Sequence, residues 1–498
     1  MRTLALAVAL VLCVPAVAAA ETNSTEPPPP ADRFFSYDRP ATYGVHIGRT
    51  EVPVRDGSHL ACDVHRPAGV DGQPAPGRFP AIVYDYNAYD QLEALGEAAR
   101  YYVTRGYVAA VCNARGSGDS PGHLDPFSAQ EQRDNYDLIE WLGTRPWTNG
   151  RVGQMGVSYG GHSSVLVAVN KPPHLAAIIP VDAISDWYEN TIYRGGIYSP
   201  RIRAWQQSTA PDTLVTYAQH PLYDDFWRER SVKARWRDLD VPTLQIAGWY
   251  DRYRDGMVAN YQARKENVWL VAGPWQHGMP AGQYADIGTG GFLAWWDRWL
   301  GGRRAPLPAK KITSFETPAG GWRQYDDWPA ASTHTSRLAL GADGRLVPGA
   351  GRPFTASFAV NTEPAPGTPD ERLVFATGTL RHDLVLAGGI EASVRATFSA
   401  TDGNLAVVLS DLAPDGTTTR ITQGWLKASH RNGHERLAPV RPGVTYDLPV
   451  HVWPTHYRVE AGHRLQVTVS SDDYPEIDSD APAGRVTITR GTVAVTTF

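Results

Sequence analysis

The chain has 498 residues, 42% of them hydrophobic and 20% charged, with a formal net charge of −5. That length exceeds what one hydrophobic core organises and suits two or three domains, and the composition is that of an ordinary soluble globular protein. The charge is spread along the chain without a Lys/Arg-rich run, so nucleic-acid binding has no electrostatic basis.

At the N-terminus Arg2 precedes an apolar run, Leu4 to Val17, too short to span a bilayer. Ala18-Ala19-Ala20 then supplies the small residues that signal peptidase requires. Residues 1–20 are expected to be a secretory signal, the alternatives being a membrane anchor or a buried helix. Residues 21–40, which hold the proline run up to Pro30, are expected to form a disordered or extended leader. No later segment reaches 18 consecutive apolar residues, so no membrane contact is expected once the signal is gone. Cys13 leaves with the signal. Cys62 and Cys112 each sit in an apolar, strand-like run, where they either pair in an oxidising compartment or remain buried thiols. No Cys/His cluster has zinc-ligand spacing, and neither a metal nor an organic cofactor is expected.

From about residue 45 to 180 strands alternate with helices. Strands are expected at Leu60–Val64, Pro80–Tyr84, Val108–Asn113, Val152–Val157 and Ala176–Val181, and helices at Ala94–Arg105 and Ala129–Gly143. Such alternation predicts a mostly parallel sheet covered by helices on both faces. Residues 184–240 break the pattern. They are rich in aromatic and charged residues and read as a helical insertion over the carboxyl ends of the strands, where α/β folds place ligands. Strands resume at Thr243–Ala247 and Val268–Val271, and a helix at Phe292–Leu300 closes this first domain, taken as residues 41–308. From 309 to 498 short strands recur between turns, among them Asn404–Leu409, Thr419–Leu426 and Arg464–Ser470. The hairpin-type pairs Asp343-Gly344, Asp402-Gly403 and Asp415-Gly416 separate some of them, which predicts an all-β sandwich of the jelly-roll kind.

Gly156-Val157-Ser158-Tyr159-Gly160 matches the nucleophile elbow of α/β-hydrolases, in which a serine sits on a sharp strand-to-helix turn. The pattern recurs at Gly118-Asp119-Ser120-Pro121-Gly122. That second match fails because the residue after the nucleophile must donate its backbone N–H to the oxyanion, and Pro121 has none. A serine hydroxyl needs a base, and the base an orienting acid; on this fold they follow in the order serine, acid, histidine, each beyond a strand end. Asp251 in Gly248-Trp249-Tyr250-Asp251 and His277 in Gly273-Pro274-Trp275-Gln276-His277 meet that requirement. Asp182 and Asp255 are rival acids, while His162, His174 and His220 are poorly placed as bases. The oxyanion donors are expected from the Tyr159 N–H and from the loop after the third strand, where Tyr86 and Tyr89 both offer a phenol.

These stretches resemble the family that joins cocaine esterase, α-amino-acid ester hydrolases and X-Pro dipeptidyl-peptidases. The resemblance takes in Tyr89-Asp90, Arg115-Gly116, Trp141 to Gly153, Gly156 to Gly161 and His220-Pro221-Leu222-Tyr223-Asp224-Asp225-Phe226-Trp227. It continues through the Asp251 and His277 motifs to Gly424-Trp425-Leu426-Lys427-Ala428-Ser429-His430-Arg431 and Gly462-His463-Arg464-Leu465. It implies an α/β-hydrolase core, a helical cap and a C-terminal jelly roll, with Ser158, Asp251 and His277 as the triad. It also implies Tyr89 rather than Tyr86 as the second oxyanion donor, although Ala88 stands where the family often has proline.

The implied substrates are small esters, amino-acid esters, amides or X-Pro peptides. A substrate with a free α-amino group needs carboxylates near the nucleophile, and Asp186 and Glu189 are the candidates. Trp187, Trp249 and other cap aromatics (Trp205, Trp227, Trp236, Tyr193) are candidate pocket walls or core. Absence of extra N-terminal sequence favours an esterase or acylase over the peptidases. A second reading makes the β-domain a carbohydrate- or surface-binding module on a silent core.

Overall fold

The computed structural model describes residues 32–279, 288–364 and 371–498. The expected signal and the proline run lie outside the described residues. Two large sheets organise the rest.

The first sheet is built from β1 (Gly44–Pro53), β2 (His59–Ala68), β3 (Phe79–Asn87), β4 (Val108–Asn113), β5 (Thr148–Val157) and β6 (Leu175–Val181). Helix α1 (Leu92–Val103) links β3 to β4, α2 (Ala129–Gly143) precedes β5, and α3 (Tyr159–Val169) follows it. Ser128 caps α2 by accepting the Glu131 N–H at 3.3 Å. The cap contains a two-stranded hairpin, β7 (Tyr193–Arg194) with β8 (Ile197–Tyr198), and the short helices α4 (Arg203–Thr209), α5 (Thr213–Ala218) and α6 (Asp225–Glu229). The chain then returns through β9 (Thr243–Gly248), α7 (Arg254–Ala263), β10 (Val268–Gly273), α8 (Gly288–Trp299), β11 (Ile312–Glu316) and β12 (Gly321–Tyr325).

The strand order is β1-β2-β4-β3-β5-β6-β9-β10-β11-β12, and every pair from β4 through β11 is parallel. The central strands β4 and β9 are buried along their whole length because helices cover both faces. Parallel order has one consequence for the site: the residues that follow β3, β5, β6, β9 and β10 all emerge on the same edge of the sheet.

Two features depart from the sequence reading, and a third decides between its alternatives. The expected leader is tied down from residue 32 onward. Phe34 and Phe35 are buried in the core, and Tyr37 and Arg39 bond the buried Asp297 of α8 at 2.8 and 2.7 Å. The first sheet also runs past the expected boundary at 308, since β11 and β12 extend it to residue 325. Third, Cys62 and Cys112 face each other across the antiparallel pair β2·β4 and form a disulfide, which closes one of the alternatives above.

The second sheet is antiparallel. Its strands are β13 (His334–Leu340), β14 (Leu346–Pro348), β15 (Ala356–Ala359), β16 (Leu373–Ala376), β17 (Leu384–Phe398), β18 (Asn404–Leu412), β19 (Thr418–Lys427), β20 (Thr445–Val459), β21 (Arg464–Ser470) and β22 (Arg485–Thr497). They hydrogen-bond as one sheet in the order β14-β13-β22-β17-β20-β19-β18-β21-β16, with β15 added on β22. The sheet curls until its edges approach at the bridge Arg345↔Ala376, nearly a barrel around an apolar interior. Alternating burial along β17 and β22 reflects one face inward and one toward solvent. The two units are joined by polar contacts. Arg254 donates to Thr422 Oγ1 at 2.8 Å, His451 lies 2.7 Å from Asp255, and Tyr223 N–H donates to His434 O at 2.9 Å.

Candidate active site

Ser158 stands between β5 and α3 with φ 58° and ψ −109°, a left-handed backbone that a side chain adopts only when its surroundings impose it. The surroundings are visible. The Ser158 N–H donates to Val181 O at 2.9 Å, and its carbonyl accepts the His162 N–H at 2.8 Å. The flanking glycines are required by space. A Cβ on Gly156 would lie 2.6 Å from the Gly160 backbone, and one on Gly160 would lie 2.2 Å from the buried Asp85 carboxyl. The turn therefore holds the hydroxyl at the head of α3, whose first N–H groups have no intrahelical acceptor.

Asp251 and His277 follow β9 and β10 on the same edge. His277 Nδ1 lies 2.8 Å from Asp251 Oδ1, and the other oxygen of Asp251, which is 2% exposed, accepts the Tyr253 N–H at 3.0 Å. The Nδ1 contact leaves the opposite ring nitrogen for the serine. Asp182, the rival acid after β6, sits beside them. Its carboxyl accepts the N–H of Gly278 at 2.7 Å and of Gly248 at 3.3 Å, and it is 3.8 Å from His277 Nδ1. Burial and the charge of Asp251 push the Asp182 carboxyl well above the usual carboxylate range. Its contacts to Gly248 and Gly278 brace the loops carrying Asp251 and His277. These three groups are close enough to hold a cation, but Asp182 is taken up by two backbone N–H groups and His277 by Asp251, so the donor set fits a hydrogen-bonded relay better than a metal.

Ser158 and His277 line one cavity of about 230 Å³ together with Tyr89, Tyr159, Phe127, His162, Ile184, Trp187, Ile202, Trp205, Tyr253, Arg201 and Arg252. The Tyr89 hydroxyl accepts the Trp205 Nε1–H at 2.9 Å, and burial raises its pKa, so its own proton stays available for an acceptor in the cavity. Tyr86 is not there; its ring is buried and its hydroxyl points toward Glu131 O at 3.5 Å. The Tyr159 ring is fixed by donating to Glu131 Oε2 at 2.5 Å, and the same oxygen accepts the Phe127 N–H at 3.2 Å.

The remaining candidates fall elsewhere. Ser120 is buried between the Ala61 N–H and Asn113 O. Asp255 pairs with His451, His174 with Glu140, and His220 with Asp224. Two expected substrate contacts need correction. Trp249 is 1% exposed and turns into the core, donating to Ser314 Oγ at 3.0 Å. Glu189 lines a different cavity, with Asp186, Tyr223 and the 432–438 loop, and is bound to Lys233 at 2.5 Å. Asp186 likewise accepts from Ser231 and the Tyr188 N–H. Of the named aromatics, Trp187 and Trp205 reach the cavity, whereas Trp227 is buried. Arg201, Arg252 and Phe127 were not foreseen. Adjacency to Asp251 was the one signal available for Arg252, and nothing in the sequence marks the other two.

The chain matches the family model for X-Pro dipeptidyl-peptidase (S15 family) at residues 56–214 and 198–279. It matches that for the X-Pro dipeptidyl-peptidase C-terminal non-catalytic domain at 305–498. It is 24% identical to cocaine esterase of Rhodococcus sp. (strain MB1 Bresler), over 87% of this chain and 92% of that protein. Among solved structures it resembles a CocE/NonD family hydrolase from Staphylococcus aureus, with TM-score 0.79, 19% identity, and coverage of 91% of this chain and 94% of that one. It also resembles an α-amino acid ester hydrolase, with TM-score 0.79, 17% identity, and coverage of 98% and 100%. At such identities the structural likeness speaks for the fold, and the two family models together take in most of the sequence. The chain belongs to the X-Pro dipeptidyl-peptidase (S15) family of hydrolases, with a catalytic region followed by that family's C-terminal domain.

Proposed function

We propose that this protein is a secreted carboxylic-ester hydrolase whose nucleophile is Ser158. One observation carries the reading: a serine held at positive φ at the head of α3 shares a cavity with His277, whose Nδ1 lies 2.8 Å from the buried Asp251. His277 takes the Ser158 proton as the oxygen attacks the ester carbonyl. Asp251 orients the ring and stabilises the imidazolium. The Tyr159 N–H and the Tyr89 hydroxyl donate to the oxyanion, the alcohol leaves with the proton returned by His277, and water releases the acyl group by the same steps reversed.

An X-Pro dipeptidyl-peptidase or an α-amino-ester hydrolase would have to hold a substrate ammonium. No carboxylate stands among the described residues lining the Ser158 cavity, and Glu189 and Asp186 are committed to Lys233 and Ser231. This favours the ester. Secretion is supported by the signal-like start and by the Cys62–Cys112 disulfide, which suits an oxidising compartment.

The test is labelling by a fluorophosphonate probe, followed by turnover of a 4-nitrophenyl acyl ester, an amino-acid ester and Ala-Pro 4-nitroanilide. Wild type labels and cleaves the acyl ester fastest, and Ser158→Ala does neither. Equal labelling of Ser158→Ala refutes the nucleophile, and faster cleavage of the anilide refutes the ester assignment. Recovery of the mature chain in culture medium, starting near Glu21, checks the secretion.

A further inference from the structure

The lining of the cavity beside Ser158 is chemically mixed: Phe127, Ile184, Trp187, Ile202 and Trp205 are apolar, and Arg201 and Arg252 are cationic. These two arginines and His277 also line an adjoining groove of about 520 Å³, whose far side comes from the C-terminal domain through Arg420, Gln423, Trp453 and Glu476. The catalytic cavity thus adjoins a second space across a cationic threshold.

The local charges do not cancel. Glu476 is the shared acceptor of Arg194 and Arg201, one carboxylate for two guanidinium groups. Arg420 is answered by Asp473 at 2.6 Å. Asp251, the other acid on the groove, is engaged by His277. Arg252 is half-buried, forms no ion pair within 4 Å of a described acid, and adds a third guanidinium to those whose charge Glu476 feels. A guanidinium partly withdrawn from water gains most from a planar, bidentate anion, and a carboxylate fits its fork. The same charge disfavours a substrate ammonium.

We infer that the substrate is itself an anion: an ester carrying a carboxylate that Arg252 binds, with Arg201 beside it, while an apolar portion packs against Trp187 and Trp205. This rests on the Ser158 esterase reading and narrows its substrate class. The carboxylate belongs either to the acyl part or to the leaving alcohol, and both give the same contact.

The experiment compares kcat/KM of the full chain on matched esters: neutral 4-nitrophenyl hexanoate, mono-4-nitrophenyl adipate with the carboxylate on the acyl side, 4-hexanoyloxybenzoate with it on the leaving group, and cationic 4-nitrophenyl 6-aminohexanoate. Wild type, Arg252→Gln and Arg252→Glu are each measured. One of the two anionic esters is expected to exceed the neutral one by about tenfold or more, the advantage of a charge-assisted pair, and which of them does so identifies the side. The anionic-to-neutral ratio falls about tenfold in Arg252→Gln, and in Arg252→Glu the cationic ester overtakes the anionic one. Each ratio is taken within one variant, so loss of folded enzyme cancels. Equal kcat/KM on neutral and anionic esters in wild type, or an unchanged ratio in Arg252→Gln, overturns the carboxylate assignment. In that event hexanoate turnover that vanishes in Ser158→Ala leaves the esterase reading standing. Absence of both turnover and fluorophosphonate labelling in wild type overturns the two together.

Discussion

Two buried carboxyls lie near His277, and the proposed mechanism gives them different work, which a pair of isosteric substitutions separates. Asp251→Asn keeps the shape but removes the charge 2.8 Å from Nδ1. An imidazolium and a carboxylate about 4 Å apart between charge centres attract by about 4 kcal/mol at an effective dielectric of about 20. At about 1.36 kcal/mol per tenfold, that is a loss of about 10³ in kcat. Misdirection of the imidazole tautomer raises the loss toward about 10⁴. Asp182→Asn replaces a carboxyl that burial and the neighbouring Asp251 already push toward its neutral form. It weakens one of the contacts to the Gly248 and Gly278 N–H groups, so a loss of about tenfold or less is expected. The assay is steady-state hydrolysis of a 4-nitrophenyl ester at pH 8, with circular dichroism and thermal melts confirming that both variants fold. If Asp182→Asn loses as much as Asp251→Asn, or if Asp251→Asn loses less than about tenfold, the division of roles is wrong.

Tyr89→Phe deletes the proposed second oxyanion donor and should lower kcat by about 10²-fold with KM little changed, read from the same ester kinetics. The Glu131 carboxyl is pushed up to about 8 by burial, against 4.5 in an exposed chain. The folded state therefore keeps a proton that the unfolded chain releases, and stability falls as pH rises through that interval. Glu131→Gln should flatten this slope, so urea melts at pH 5 and pH 9 should show the variant gaining on wild type at the higher pH; parallel curves would count against it. Replacing Cys62 and Cys112 by alanine removes a cross-link over a sequence separation of 50, which chain entropy values at about 4 kcal/mol, measured by denaturant unfolding without reductant.

Much of this protein is legible before any coordinates. Parallel strands buried on both faces are largely apolar, so β4, β6, β9, β10 and the second half of β5 announce themselves. The strand-end rule then picks Ser158, Asp251 and His277, because a parallel sheet brings all its carboxyl ends to one edge. The exclusion of Ser120 needed only the missing N–H of Pro121. Tyr89 over Tyr86 came from family resemblance, and the observed burial of Tyr86 gives a physical reason for it.

What the tertiary structure alone decided is contact between segments far apart in the chain. β11 and β12 are short and read locally as part of the β-domain, yet pairing with β10 places them in the first sheet. Phe34 and Phe35 look like leader residues until α8 provides the surface that buries them. The sequence could name Glu189 and Trp249 as plausible contacts, but side-chain direction is set by packing, and packing sent one to Lys233 and the other into the core. Arg201 and Arg252 acquire meaning only where the cap, the Asp251 turn and the C-terminal domain converge around the groove beside the Ser158 cavity. A balance of charge depends on distances in space, and spacing along the chain does not encode it.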